Sequence, residues 1–168
     1  IKVWILLAVC KSLGGAVALL SIEGYSAKCV AIGLRKLANS FGPISTFVCD
    51  AGPNVVRAVQ IYNSAHTSRP ALLIAVDPRA QHRNGKAERK IRDMKHILNP
   101  RVVGDELLTK QEFDTILSDV SCTLNSRPVG VKAGGSLETA EFVCPNDVLW
   151  YGKDKFPMDD ESPFISSV

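Results

Sequence analysis

Residues 3–22, VWILLAVCKSLGGAVALLSI, constrain this chain more than any other segment. The run has the length of a membrane-spanning helix, yet Lys11 would stand near the bilayer centre, where insertion costs about 2.5–3.5 kcal/mol. The break at Leu13-Gly14-Gly15 also divides the run into two apolar stretches of strand length. A pair of strands over 2–9 and 15–22, joined by a turn, accounts for both features, so no membrane span is expected. Their near-continuous apolar character predicts burial on both faces.

With 168 residues, 46% hydrophobic and 22% charged, the chain suits a single globular domain with a proper core. Cys10, Cys29, Cys49, Cys122 and Cys144 lie far apart and form no CxxC pair, so a zinc module is not expected. An odd cysteine count without a secretory signal points to a reducing compartment. The chain opens at Ile1 rather than Met, which leads us to expect a fragment of a longer protein.

Ser26 is placed to cap a helix over 27–39, with Val30, Leu34 and Leu37 inward and Arg35 and Lys36 outward. Gly42-Pro43 ends it, and the short strand ISTFVC then runs into Asp50. Ala51-Gly52-Pro53 turns the chain into a second helix, and ALLIAV, at 71–76, reads as another buried strand. In the third helix Ala87, Ile91, Met94 and Leu98 form the predicted core stripe. Thr109 and Glu112 make a capping box for the last long helix. Phe113, Ile116, Leu117, Val120 and Leu124 face its core, and Asn125-Ser126-Arg127-Pro128 stops it. Arg127 is expected to cap that helix end, where its charge suits the dipole. We divide the chain into a core over 1–128 and an extension over 129–168, whose last residues, 153–168, read as an acidic tail. Strands alternating with helices in this order predict an α/β fold.

The third helix carries the charge. From Arg79 to Arg101 there are eight Lys/Arg and two acids, a local charge of +6 in a chain of net +3, so the remainder is net −3. Such a concentrated cationic face suits a polyanion, most often nucleic acid. Arg83, Lys86, Arg89, Lys90, Arg92 and Lys95 are the candidate contacts. Glu88, Arg92 and Lys95 follow at i, i+4 and i+7, so one face presents a carboxylate followed by two cations. Glu88 has a plain alternative reading, an offset to Arg92 worth about 0.2–0.5 kcal/mol.

Asp50 ends a strand just before a Gly-containing turn, where α/β sheets place their sites, although turn formation alone would also select Asp there. Two carboxylates at one end of a sheet suit Mg²⁺, which takes a few hard oxygen ligands and keeps several waters. A pair of such ions stabilises both oxygens of an in-line phosphoryl displacement.

KVWILLAVC, EGYSAKCVAIGLRKLANSFGPISTFVCDAGPNV, HRNGKAERKIRDMK, LNSRPVG and CPNDVLWYGK follow one another along the chain. In combination they resemble the integrase core of BEL/Pao-type LTR retrotransposons, over about residues 2–153. The resemblance implies a ribonuclease H-like fold with an Asp, Asp, Glu triad that holds Mg²⁺ or Mn²⁺. On the matching motifs Asp50 is the second aspartate and Glu88 the glutamate, with 37 residues between them. Arg92 and Lys95 match positions that face element-end DNA. The implied activity joins element 3′-ends to target DNA, with DNA as partner, a homo-oligomeric parent protein and a nuclear location.

The first aspartate would lie on a central strand ahead of Ile1, and no acid precedes Glu23. The expected fold therefore lacks its first, central strand, and the expected triad is incomplete in this chain. Two other functions stay open: a non-catalytic nucleic-acid-binding remnant, and a ribonuclease H-type nuclease. The Gly-x-x-Glu-Arg helix speaks against the nuclease.

Overall fold

A computed structural model describes residues 3–12, 15–76, 85–102, 108–131 and 142–149. The element order is β1 (Trp4–Val9), β2 (Val17–Ile22), α1 (Ala27–Phe41), β3 (Thr46–Asp50), α2 (Pro53–Ala65), β4 (Leu72–Val76), α3 (Gly85–Val102), α4 (Lys110–Asn125), β5 (Gly130–Val131), β6 (Phe142–Val143) and α5 (Pro145–Leu149). No helix among the described residues is long and apolar enough to cross a membrane.

The apolar run forms the expected hairpin. β1 pairs antiparallel with β2 from Trp4↔Ile22 to Val9↔Val17. Strand alternation sends Leu6, Ala8, Ala18, Leu20 and Ile22 into one cluster with α1 and α2. Ile5, Leu7, Val17 and Leu19 enter a second cluster with α3 and α4. A ladder covered on both faces needs apolar residues at every position, which is why the run hardly alternates.

Ser26 Oγ accepts the Cys29 N–H at 3.3 Å and starts α1. Val30, Leu34 and Leu37 are buried as the periodicity predicts. Gly33 brings α1 against the hairpin: a Cβ there would stand 2.7 Å from Leu6 Cδ2 and 3.2 Å from Ile22 Cγ2. Gly42, at φ 92°, closes the helix in a conformation that favours glycine. β3 pairs parallel with β4, from Thr46↔Leu72 to Asp50↔Val76. α2 covers this second ladder through Tyr62, whose ring meets Phe47 edge-on at 5.3 Å. Asn63 fastens the chain before β4 by donating to the Ala71 carbonyl and accepting its N–H.

The structure departs from the predicted burial in β4. Leu72 and Ile74 are 61% and 45% exposed, because α3 and α4 lie over β1–β2 and no described helix covers the outer face of β3–β4. Antiparallel and parallel pairing are both present, as in a mixed sheet, but among the described residues β1 pairs only with β2 and β3 only with β4.

α4 opens with the predicted capping box: Thr109 Oγ1 accepts the Glu112 N–H, and Glu112 accepts the Thr109 N–H at 2.7 Å. Its end differs from expectation. Arg127 does not cap α4 but reaches Asp93 of α3 at 3.4 Å, an ion pair between neighbouring helices. Beyond Pro128 the described residues are 129–131 and 142–149. Gly130–Val131 pairs with Phe142–Val143, and Asn146 donates to Ser126 Oγ at 3.1 Å. The start of the extension is thus tied to the end of α4, and residues 153–168 lie outside the described residues.

Candidate nucleic-acid interface

α3 begins at Gly85, and Glu88 in its first turn suits the positive end of the helix dipole. Met94 and Leu98 are buried against Val17, Leu19, Leu117 and Leu124. That contact decides which way the helix faces. Lys86, Glu88, Arg89, Arg92 and Lys95 all emerge exposed on it, so a single carboxylate stands among four cations. Arg101, in the last turn, lies 3.9 Å from Asp119 of α4. Arg83 falls outside the described residues.

Two positions differ from the predicted stripe. Ile91 is 38% exposed, and Lys90 takes its place toward the core, half-buried. A Cβ at Gly15 would come 3.5 Å from Lys90 Cε and 4.0 Å from Val9 Cγ1. The aliphatic stem of Lys90 therefore lies along the turn of the hairpin, an arrangement open to lysine because only its ammonium needs water. Lys90 joins the packing of α3 more than its cationic face.

Asp50 stands exposed at the carboxyl end of β3, beside the end of β4. Burial raises the pKa of the neighbouring Cys49 thiol, and the Asp50 carboxylate raises it further. After Asp50 the chain turns at Gly52, which precedes Pro53 in the first turn of α2. Asn54 Nδ2 donates to the Tyr25 carbonyl at 3.0 Å, and a side chain at Gly52 would come 3.5 Å from Tyr25 Oη. Tyr25 in turn stacks on Trp4, with ring centroids 5.1 Å apart. The turn after Asp50 is thereby braced by the start of β1 and the loop after β2.

Asp50 and Glu88 offer hard carboxylate oxygens, the donor type that Mg²⁺ and Mn²⁺ prefer. They stand on separate elements. Among the described residues no group of three or more His, Cys, Asp or Glu side chains gathers at metal-binding range. Two carboxylates are a donor set that suits Mg²⁺, which keeps several waters among its ligands.

The residue that sequence reasoning undervalued is Asn125, read only as part of a helix stop. It is buried, and its side chain binds the backbone of Val17. The available signal was spacing: Ser121 and Asn125 lie at i and i+4, polar positions beside the apolar face of α4.

No family model matches the chain, and no curated protein does either. Solved structures are similar in fold. The catalytic core domain of BIV integrase matches with a TM-score of 0.61 and 20% identity, over 88% of this chain and 86% of that one. A simian T-cell lymphotropic virus intasome in complex with PP2A regulatory subunit B56 gamma matches with a TM-score of 0.61 and 17% identity, over 92% of this chain and 54% of that one. The HTLV-2 integrase catalytic core in complex with magnesium, in dimeric form, matches with a TM-score of 0.53 and 16% identity, over 80% of this chain and 89% of that one. At these identities the likeness establishes a shared fold, the ribonuclease H-like architecture of integrase cores.

Proposed function

We propose that this chain is the core of a retroelement integrase, of the BEL/Pao type its motifs resemble, and that α3 is the face it turns to DNA. The observation that carries the reading is the set Lys86, Arg89, Arg92 and Lys95, exposed around Glu88 on one helix. The fold it shares with integrase cores supports the same reading. Arginine grips a phosphate with a planar fork and fixes its position, while lysine adds a mobile point charge. Each phosphate neutralised releases counterions, so binding through this face depends steeply on salt.

Asp50 and Glu88 are the residues that would hold Mg²⁺ or Mn²⁺, and an HTLV-2 core solved with magnesium supports that choice. Such ions, when bound, stabilise the entering and departing oxygens of an in-line phosphoryl displacement. The part left to this chain is positioning, with Arg92 and Lys95 holding the DNA backbone beside the carboxylates. Alone, the chain is proposed to be inactive in strand transfer, because no acid precedes Glu23 to complete a triad. Assembly into a homo-oligomer and work in the nucleus belong to the same proposal.

The decisive experiment is DNA binding by the Arg92→Glu, Lys95→Glu double variant. Affinity for a short duplex is expected to fall by at least about tenfold, with a shallower salt dependence. Unchanged affinity and slope would remove DNA from the reading. A second reading, a nucleic-acid-binding remnant without catalysis, is favoured by the lack of a three-acid group among the described residues. Mg²⁺-dependent joining of an oligonucleotide by this chain would exclude that second reading and overturn the proposed inactivity.

A further inference from the structure

α3 carries two acids, Glu88 and Asp93, and the second has a partner on another element. Asp93 follows Lys90 by three residues, Arg89 by four and Lys86 by seven, so all four side chains share one flank of the helix. Opposite charges at the three- and four-residue spacings pair along a helix when nothing competes. Here something does. The Asp93 carboxylate lies 3.4 Å from the Arg127 guanidinium. Among the described residues no ion pair joins Asp93 to Lys86, Arg89 or Lys90.

The path of the two helices explains why Arg127 is the residue that arrives. Asp93 meets Arg127 while Arg101 meets Asp119, so α3 and α4 run antiparallel. The first turns of α3, with Lys86, Arg89 and Arg92, therefore reach beyond the end of α4 at Asn125. Arg127 stands just past that end, beside the flank that holds Asp93.

The backbone on either side of Arg127 is pinned. Asn125 binds both polar groups of Val17. The Asn146 amide donates to Ser126 Oγ at 3.1 Å, and the Cys144 thiol donates to the Ser126 carbonyl at 3.1 Å. The Val129 N–H donates to the Val143 carbonyl at 2.8 Å. Pro128 restricts the backbone of Arg127 to extended conformations. An arginine placed in this way stays charged at every accessible pH. Only 27% of the Asp93 side chain is exposed, so its charge acts on its neighbours with less screening than that of a fully solvated acid.

We infer that Arg127 is a positioning residue of the DNA face, which neutralises Asp93 and so leaves Arg89 and Lys86 to phosphate. The inference rests on the reading of α3 as the DNA-facing helix. Without Arg127 the Asp93 charge falls on the flank that holds Arg89 and Lys86 and repels the DNA backbone there. The Asn-Ser-Arg-Pro segment thereby acquires a task on a neighbouring helix. Cys144 and Asn146, at the start of the extension, share that task because they hold Ser126 in place.

The test is binding of a short DNA duplex by the full chain, as wild type, as Arg127→Ala, as Arg127→Lys, and as Arg127→Ala combined with Asp93→Asn. At low salt Arg127→Ala is expected to bind at least about threefold more weakly, and the loss is expected to shrink as salt is raised. Removal of the Asp93 charge in the same chain is expected to restore affinity to within about twofold of wild type. Arg127→Lys keeps a cation beside Asp93 and is expected to bind as wild type does. A double variant as weak as Arg127→Ala would mean that Arg127 grips phosphate itself, and it overturns the inference. A loss that persists undiminished at high salt also overturns it, since that marks a structural effect. If Arg127→Ala binds as wild type while Arg92→Glu with Lys95→Glu loses affinity, the role of Arg127 falls and the reading of α3 stands. If neither variant changes affinity, both fall together.

Discussion

Asn125 of α4 holds Val17 of β2 by both of its backbone polar groups. Its Oδ1 accepts the Val17 N–H at 2.7 Å, and its Nδ2 donates to the Val17 carbonyl at 2.8 Å. The pair is buried and joins residues 108 positions apart. An amide is the side chain that can meet one donor and one acceptor together in this way. The strand thus acquires a partner at the point where a neighbouring strand would otherwise dock.

Replacement of Asn125 by Leu preserves volume but strands both Val17 groups. Each unsatisfied buried group costs about 1–3 kcal/mol, so a loss of about 2–6 kcal/mol in urea unfolding is expected for the two. Asn125→Asp keeps the acceptor and loses the donor, and it is expected to destabilise as well. A loss below about 0.5 kcal/mol for the leucine variant would show that the latch contributes little.

Gly33 separates two opposing effects. Alanine in a helix interior gains about 0.5–1 kcal/mol over glycine, but here its methyl meets Leu6 at 2.7 Å and Ile22 at 3.2 Å. Overpacking of a core costs about 1–3 kcal/mol, so overpacking wins. Gly33→Ala is expected to lower stability slightly and Gly33→Val severely, read as the urea midpoint. A stabilised alanine variant would mean that Leu6 moves aside freely.

Lys90 and Arg92 stand two residues apart and are expected to behave differently. Arg92→Ala should reduce the slope of log affinity against log salt by about 0.9, as for one lost phosphate contact. Lys90→Ala should leave that slope unchanged and lower stability instead, because its stem packs on the hairpin turn. Equal slopes for the two variants would contradict the orientation of α3.

Hydrogen bonds from the Thr109 backbone and then its hydroxyl hold the Glu112 carboxyl below its usual pKa. A depressed folded pKa means that the stabilisation is present above the ordinary carboxylate range and is lost as pH falls through the lowered value. The chain is expected to lose stability on acidification, and Glu112→Gln to lose less. Parallel stability–pH curves for the two would show that the capping box contributes nothing to acid sensitivity.

Asp50→Asn and Glu88→Gln are each expected to weaken Mn²⁺ binding, measured by paramagnetic broadening of water relaxation. Both residues are exposed, so neither substitution leaves a buried polar group unsatisfied. Binding that survives both would free these carboxylates from the proposed role.

Much of the fold is legible in periodicity. Ser26, Val30, Leu34 and Leu37 define α1, and Thr109 with Glu112 starts α4 where the capping box predicts. The stripe of α3 was less legible. Residues 90 and 91 flank the same inward direction, and a 3.6-residue repeat does not choose between them. Local pattern would select Ile91 for the core, but Gly15, bare of a side chain, leaves room for the Lys90 stem, whose Cε would lie 3.5 Å from a Cβ there. Leu72 and Ile74 show the converse, since nothing in ALLIAV says whether a helix will lie over that face.

The sequence by itself determined the hairpin, the alternation of strands and helices, the cationic face of α3 and the identity of the two candidate carboxylates. Each follows from local spacing, turn chemistry or charge, which act over a few residues. Tertiary structure alone decided that Lys90 turns inward, that Arg127 reaches Asp93, and that Asn125 seals one edge of β2. Those outcomes depend on which surfaces meet, and contacts between residues a hundred positions apart leave no periodic trace in the chain.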